Sequence, residues 1–370
     1  MRSDHEQAPA PRPGLLKALK QAAFVLAPVI FVTLFLSHQA DKDAIAFDFH
    51  HYYWPAGDRV LHGLTPYVHG PWFPSEVPVG FVYPAPTAVI FAAVAVIPRE
   101  IGDVLFTALC IVAPLVTLRL LDVRDWRAYA IVLLWAPTVF GIQTANLSML
   151  FAVAVAAMWR YRDRPAVTGL VFGVVVAMKL FLFPLGLFYL ATRRFVALAY
   201  AVATMIAFTA LSWVVIGVDE IARYRTTIED FTYLREDYGF SLIGFVETVG
   251  GGRTLAYAIA VALATATAAA CVLAARAGRE SNAFILAIAI SLLLTPIMWL
   301  HYLALLLVPV GLRCPRLHVL WVLPILFFYD GTLVDPSTVQ VALTLLLAVT
   351  IVGAALARPD RWRESASAAS

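Results

Sequence analysis

The stretch Phe47-Asp48-Phe49-His50-His51-Tyr52-Tyr53-Trp54-Pro55-Ala56-Gly57 sets one carboxylate among two histidines and a dense run of aromatics. These residue types suit proton abstraction from a hydroxyl group: the aspartate takes the proton as a general base while aromatic faces hold a sugar ring or a lipid neck. An aspartate in a loop can equally be solvated or cap a helix. Ten residues on, Asp58 is followed at once by Arg59 and reads as a surface ion pair. Four other polar positions stand out. Gln143 and Asn146 lie in Gly141-Ile142-Gln143-Thr144-Ala145-Asn146, Lys179 in Met178-Lys179-Leu180, and His301 in Trp299-Leu300-His301-Tyr302. Lys179 is the only lysine after Lys42; it is either an interfacial side chain snorkelling to water or a functional cation. His301 is either a ligand group or a satisfied helix-end histidine. The two amides are either ligand groups or caps and interhelical bonds. The loop tyrosines and tryptophans also suit an aromatic belt.

The elements that carry these residues follow from composition. With 370 residues, 61% hydrophobic and 14% charged, and a mean hydropathy of +0.81, the chain holds more apolar material than one soluble core can bury. The expected fold class is all-α, a polytopic integral membrane protein. A net charge of +3 spread over short clusters excludes a nucleic-acid surface. Cys110, Cys271 and Cys314 are far apart without ligand spacing, so they read as packing residues, and no metal site is called.

A polar, proline-rich tail over 1–20 precedes an apolar run from Ala22 to Leu36 with no cleavage site, as in an uncleaved signal anchor. Further apolar runs cover 102–121, 128–142, 146–159, 166–178, 180–192, 195–216, 255–275, 282–299, 302–312, 318–334 and 337–357. The runs 166–178 and 180–192 are expected to be two short helices meeting at Lys179. If the arginine-rich clusters at the N-terminus, 119–127, 160–164, 193–194, 276–279, 313–316 and 358–363 are cytoplasmic, 19 of 27 basic residues lie inside. That count requires 81–97, bracketed by Pro84, Pro86 and Pro98, to be an interfacial helix rather than a span. The result is about twelve spans over 21–357, both tails (1–20 and 358–370) inside, and outer loops at 38–101 and 217–254. Asp48, Gln143, Asn146, Lys179 and His301 all fall on the outer face of the plasma membrane.

No phosphate-binding glycine loop and no acidic pair in a soluble domain is present for a nucleotide-sugar. Outside the cell the activated donor is a lipid-linked sugar phosphate. Phosphate departs without a proton, so one base suffices, and Lys179 or His301 can stabilise the charge that develops on it. No cofactor beyond this co-substrate is called.

The order Asp48-x-x-x-Tyr52, Tyr83-Pro84-x-Pro86, Gly141-x-Gln143-x-x-Asn146, Lys179-x-x-x-x-Pro184 and Trp299-x-His301-Tyr302 resembles the bacterial polyprenyl-phosphate-sugar glycosyltransferases of family 87, over about residues 20–355. The resemblance implies a GT-C membrane fold and an inverting transferase with Asp48 as base. It also implies actinobacterial envelope assembly, with mannose in α-1,2 linkage or arabinofuranose passing from the polyprenyl-phosphate donor to a glycolipid or lipoglycan acceptor. Lys179, His301, Gln143, Asn146, Tyr52, Tyr83 and Tyr302 are the expected donor- and substrate-binding residues. A lipid or sugar transporter or flippase is the alternative class, which calls for polar residues deep in several spans and for repeated halves. Neither is visible.

Overall fold

The computed structural model describes residues 13–42, 44–68, 80–235, 239–327 and 336–360. Most of both tails and parts of the loops 38–101 and 217–254 therefore lie outside the described residues. The described chain is helical, with no strand. It runs through α1 (Pro13–Ala40), a π-turn (Phe49–Tyr53) leading into α2 (Trp54–Leu61), α3 (Ala85–Val94), α4 (Arg99–Leu120), α5 (Trp126–Val132), α6 (Ala136–Gln143), α7 (Ser148–Arg160) and α8 (Pro165–Met178). A 3₁₀ segment (Leu180–Leu185) then leads into α9 (Gly186–Ala191), followed by α10 (Phe195–Ile216), α11 (Glu220–Arg235), α12 (Leu242–Thr248), α13 (Gly252–Arg276) and α14 (Glu280–Leu293). A second 3₁₀ segment (Leu300–Leu306) precedes α15 (Leu307–Arg313). The last elements are α16 (Val319–Val322), a third 3₁₀ segment (Leu323–Phe327) and α17 (Thr338–Ala357).

Five helices, α1 from Gln21, α4, α10, α13 and α17, are long and apolar enough to cross a membrane. Their outward faces stay apolar and exposed, as at Val104, Val214, Leu273 and Val349, which suits a lipid surround and would be a severe liability in water. The remaining apolar runs are shorter, broken legs that fold back on themselves. Thr168 and Tyr189 share a hydroxyl hydrogen bond of 2.5 Å and Phe172 stacks on Tyr189, so α8 and the leg after it are antiparallel about Lys179. This is the break expected there. Gly141 against Met149 likewise folds α6 onto α7, and Arg313 against Asn282 folds α15 onto α14.

These hairpins sort the charges. At one end Arg160 binds Asp122, Arg194 binds Asp163 and Glu280, and Arg358 meets His318. The hairpin tips at Asn146, Lys179 and His301 point to the other. The Arg313 side chain is wholly buried at the charged end; it pairs with Asp360 at 3.2 Å and donates to Asn282 Oδ1, while Ser281 Oγ donates to Asp360 at 2.5 Å. Removing one member of such a pair strands the other charge. Asp360→Ala is therefore expected to lower stability by about 3–5 kcal/mol, read as a fall in thermal midpoint in detergent. Asp163→Ala, at an aspartate 70% exposed, should change little.

The tips do not reach as far as the long helices. α8 and α10 start side by side and run parallel, because Gly169 and Gly173 let α8 approach the backbone of α10 at Ala197 and Ala201 so closely that a Cβ would clash. At 1.5 Å per residue α8 rises about 21 Å and α10 about 33 Å. Lys179 therefore lies about 12 Å below the end of α10. Above that level α11 is tied to the segment after α2: Thr65 Oγ1 donates to Glu220 at 2.5 Å, and Tyr67 packs between Trp213 and Tyr224. The ten residues of α3 rise about 15 Å, half a hydrocarbon core. α3 buries Ala85, Thr87, Ala88 and Phe91, and Thr87 Oγ1 donates to Met178 O at 2.9 Å.

Candidate active site

The segment bearing Asp48 is laid along the α6–α7 tip by two backbone hydrogen bonds, Ala46 N to Gln143 O at 2.7 Å and Asp48 N to Thr144 O at 2.8 Å. Both loops adopt positive φ at a non-glycine residue, Ala46 at 54° and Ala145 at 48°. This is backbone strain of the kind that collects where a side chain must be aimed. Gln143 serves this junction. It is buried, and its amide faces Ala44 O and Gln39.

Asn146 is equally buried and faces the carboxylate. The Ser148 backbone N–H donates to its Oδ1 at 2.7 Å, which fixes the amide orientation. Its Nδ2 then donates to Asp48 Oδ2 at 2.5 Å and to the Tyr53 hydroxyl at 3.0 Å. From Tyr53 the chain continues to the Tyr83 hydroxyl at 2.7 Å, and Lys179 Nζ donates to Tyr83 at 3.2 Å. A continuous hydrogen-bonded line thus joins Asp48 to Lys179. The ammonium also lies 4.0 Å above the Tyr302 ring and 4.7 Å from that of Tyr83, with Phe181 stacked on Tyr302. Asp48 and Lys179 remain half-buried, each keeping part of its surface open. Burial pushes the Asp48 carboxyl up to about 6 against the opposing pull of Asn146 and Lys179, a range suited to accepting a proton near neutrality.

His301 is buried against Phe140, their rings 5.5 Å apart, and neither ring nitrogen has a hydrogen-bond partner among the described residues. Tyr302 follows it into the wall that holds Lys179. The line runs through Tyr53, while the Tyr52 ring lies against Phe47. The π-turn decides this. The Trp54 N–H bonds Phe49 O, a five-residue step, so Tyr53 rather than Tyr52 comes round beside Asp48. Sequence spacing alone missed Tyr53. It also missed Asp103, whose Oδ2 lies 2.7 Å from His50 Nδ1 and ties the π-turn to the start of α4. Asp58 faces His62 at 3.3 Å, while Arg59 donates to Thr65 O at 2.6 Å, so the expected Asp58–Arg59 pair is replaced by two local contacts. Among the described residues no three histidines, cysteines or acids gather as a metal site.

The model of glycosyltransferase family 87 matches residues 81–300. The chain belongs to this family. A relative from Mycolicibacterium smegmatis, described as a polyprenol-phosphate-mannose-dependent alpha-(1-2)-phosphatidylinositol pentamannoside mannosyltransferase, is 27% identical over 245 residues, covering 60% of this chain and 56% of the relative. The chain thus spans little more than half the length of the curated relative it matches. No solved structure matches. The family match covers the Tyr83, Asn146 and Lys179 elements of the line and reaches Leu300. It leaves out Asp48 and Tyr53, which tertiary contacts alone bring to the other family 87 residues.

Proposed function

We propose that this chain is an inverting glycosyltransferase that moves mannose from a polyprenyl-phosphate donor to a hydroxyl of a cell-envelope glycolipid or lipoglycan. The observation that carries the reading is the hydrogen-bonded line from Asp48 to Lys179, which holds a carboxylate and a cation at opposite ends of one site below the end of α10. In the step proposed, Asp48 takes the acceptor's hydroxyl proton and the acceptor oxygen bonds to the anomeric carbon. The bond from that carbon to the phosphate oxygen breaks, and its electron pair leaves with the polyprenyl phosphate. In this reading Lys179 supplies a cation and His301 a hydrogen-bond donor for the charge on the departing phosphate. The mycobacterial relative's dependence on polyprenol-phosphate mannose supports mannose and a glycolipid acceptor. The segregation of arginines to the far end supports about twelve spans of GT-C type in the plasma membrane, both tails inside and the site on the extracytoplasmic face.

The test is incubation of membranes with radiolabelled polyprenyl-phosphate mannose and candidate glycolipid acceptors, with mass analysis of the product. Transfer from polyprenyl-phosphate arabinofuranose instead would reassign the sugar. Movement of lipid without bond formation would place the protein with flippases.

A pH profile follows from the Asp48 environment. The base acts deprotonated, so kcat/KM rises with pH through an acid limb near 6. Asn146 holds the carboxyl down by donating to its charged form. Asn146→Ala therefore moves that limb to higher pH besides lowering the plateau. A limb unmoved in this variant would separate Asp48 from the proton being titrated.

A further inference from the structure

Hydrogen-bond direction along the line from Asp48 to Lys179 can be worked out from the groups that meet there. A phenol has one proton to give and two lone pairs to receive. The Tyr53 oxygen is met by the Asn146 amide N–H at 3.0 Å, a group that only donates. Tyr53 is fully enclosed, and among the described residues the Tyr83 oxygen at 2.7 Å is the one acceptor within its reach by hydrogen-bond geometry, so its proton goes there. Tyr83 in turn receives from Tyr53 and from the Lys179 ammonium at 3.2 Å, another group that only donates. Its own proton is left over. Among the described residues no carboxylate or carbonyl oxygen hydrogen-bonds the Tyr83 hydroxyl. Tyr53 is fully enclosed, whereas Tyr83 is 9% exposed and lies beneath the half-buried Lys179. A spare phenolic proton inside protein costs free energy unless an acceptor arrives.

We propose that Tyr53 is a positioning residue: by giving its only proton to Tyr83 it leaves the Tyr83 O–H as a second donor, beside Lys179, for the phosphate oxygen of the lipid-linked donor. The proposal rests on the lipid-phosphate reading of the site and adds to it a neutral donor and the residue that orients it. The same anionic oxygen then meets an ammonium and a phenol together. A neutral donor strengthens its bond as charge builds on the departing oxygen and adds no further charge that must be desolvated in the resting site. Tyr53 needs no contact with substrate. Its effect passes through the Tyr83 oxygen.

The experiment measures kcat and KM for transfer from polyprenyl-phosphate mannose by the parent enzyme in nanodiscs, by Tyr83→Phe, Tyr53→Phe and the double variant, and by enzyme carrying fluorinated tyrosines at position 83. Tyr83→Phe is expected to lower kcat about 10²-fold, as loss of one transition-state donor does. Tyr53→Phe should lower it less, and the double variant should be no worse than Tyr83→Phe, since both act through one bond. Fluorination makes the phenol a stronger donor and a weaker acceptor. kcat should therefore rise along the series while the phenol stays protonated. A fall along the series would mean that Tyr83 only accepts, which overturns the proposal, and so would additive losses in the double variant. Absence of transfer by the parent enzyme would remove the donor reading and this proposal with it; normal parent activity with either adverse result removes the proposal alone.

Discussion

Asp48→Asn is expected to lower sugar transfer by about 10²–10⁴-fold, the usual worth of a general base. The substitution keeps the size of the side chain and an oxygen that can accept from Asn146, so the line to Tyr53 persists while the proton acceptor is lost. Its effect on stability has the opposite sign. Burial raises the folded carboxyl from 3.8 to about 6. The protonated form is thus favoured by folding, and this stability is fully present below 3.8 and lost as pH rises through about 6. At pH 7.5 the charged carboxylate is a liability that an amide does not share. Asp48→Asn should therefore melt no lower than the parent at pH 7.5, and any gain should vanish as pH falls through 6 towards 4. A thermal-shift series over that range, run beside the transfer assay, separates a base from a packing residue. Asp58→Asn is the control: its carboxylate faces His62, away from the line to Lys179, so activity should stay at the parental level. Parental activity in Asp48→Asn would send the search for the base to the described part of 217–254 or to His301.

Lys179→Ala is the second large effect, with an expected loss of about 10²–10³-fold in kcat. The ammonium is held between the Tyr302 and Tyr83 rings and bonded to the Tyr83 hydroxyl, so it is aimed rather than simply floating to an interface. Removing it also withdraws a charge that lowers the Asp48 carboxyl. The acid limb of the pH profile should therefore move upward together with the fall in kcat. Lys179→Arg retains the cation and can stack on the Tyr302 ring, but its planar fork does not reproduce the single ammonium bond to Tyr83. Partial activity is expected there. Full activity in Lys179→Ala, with an unmoved limb, would reduce the residue to a membrane anchor.

Much of this site was legible along the chain because membranes make polar residues conspicuous. Lys179, Asn146 and His301 interrupt apolar runs, and the cost of burying such groups in hydrocarbon means that each needs a partner or a task. The expected break at Lys179 is found, since the residue adopts an extended backbone between α8 and the 3₁₀ segment that follows it. Other expectations were changed by packing. Gln143 looked like a ligand group on the same grounds as Asn146, yet it holds the Asp48 loop in place; the difference is one of direction around a helix end, which spacing does not encode. Tyr52 and Tyr53 are adjacent and alike, and only the wide π-turn selects the second. Sequence places Asp48 only in an outer loop on the outer face. The structure lays it against the α6–α7 tip, below the end of α10, because α8 and its neighbouring legs are shorter than the long helices beside them.

Composition and charge order were therefore enough for the class of molecule, since apolar runs and arginine clusters act through solvent and lipid, to which every residue is exposed in the same way. They also sufficed to choose the residues worth testing. The pairing of Asp48 with Asn146, the passage through Tyr53 and Tyr83, and the seating of Lys179 between two rings depend on contacts 30 to 123 residues apart in sequence. Such contacts exist only once the hairpins at Asn146, Lys179 and His301 have been brought to one level by close helix packing at glycines such as Gly141, Gly169 and Gly173. Hydrogen bonds are short-ranged and directional, and which of two neighbouring side chains makes them is decided by a rotation of the backbone that no residue sets for itself.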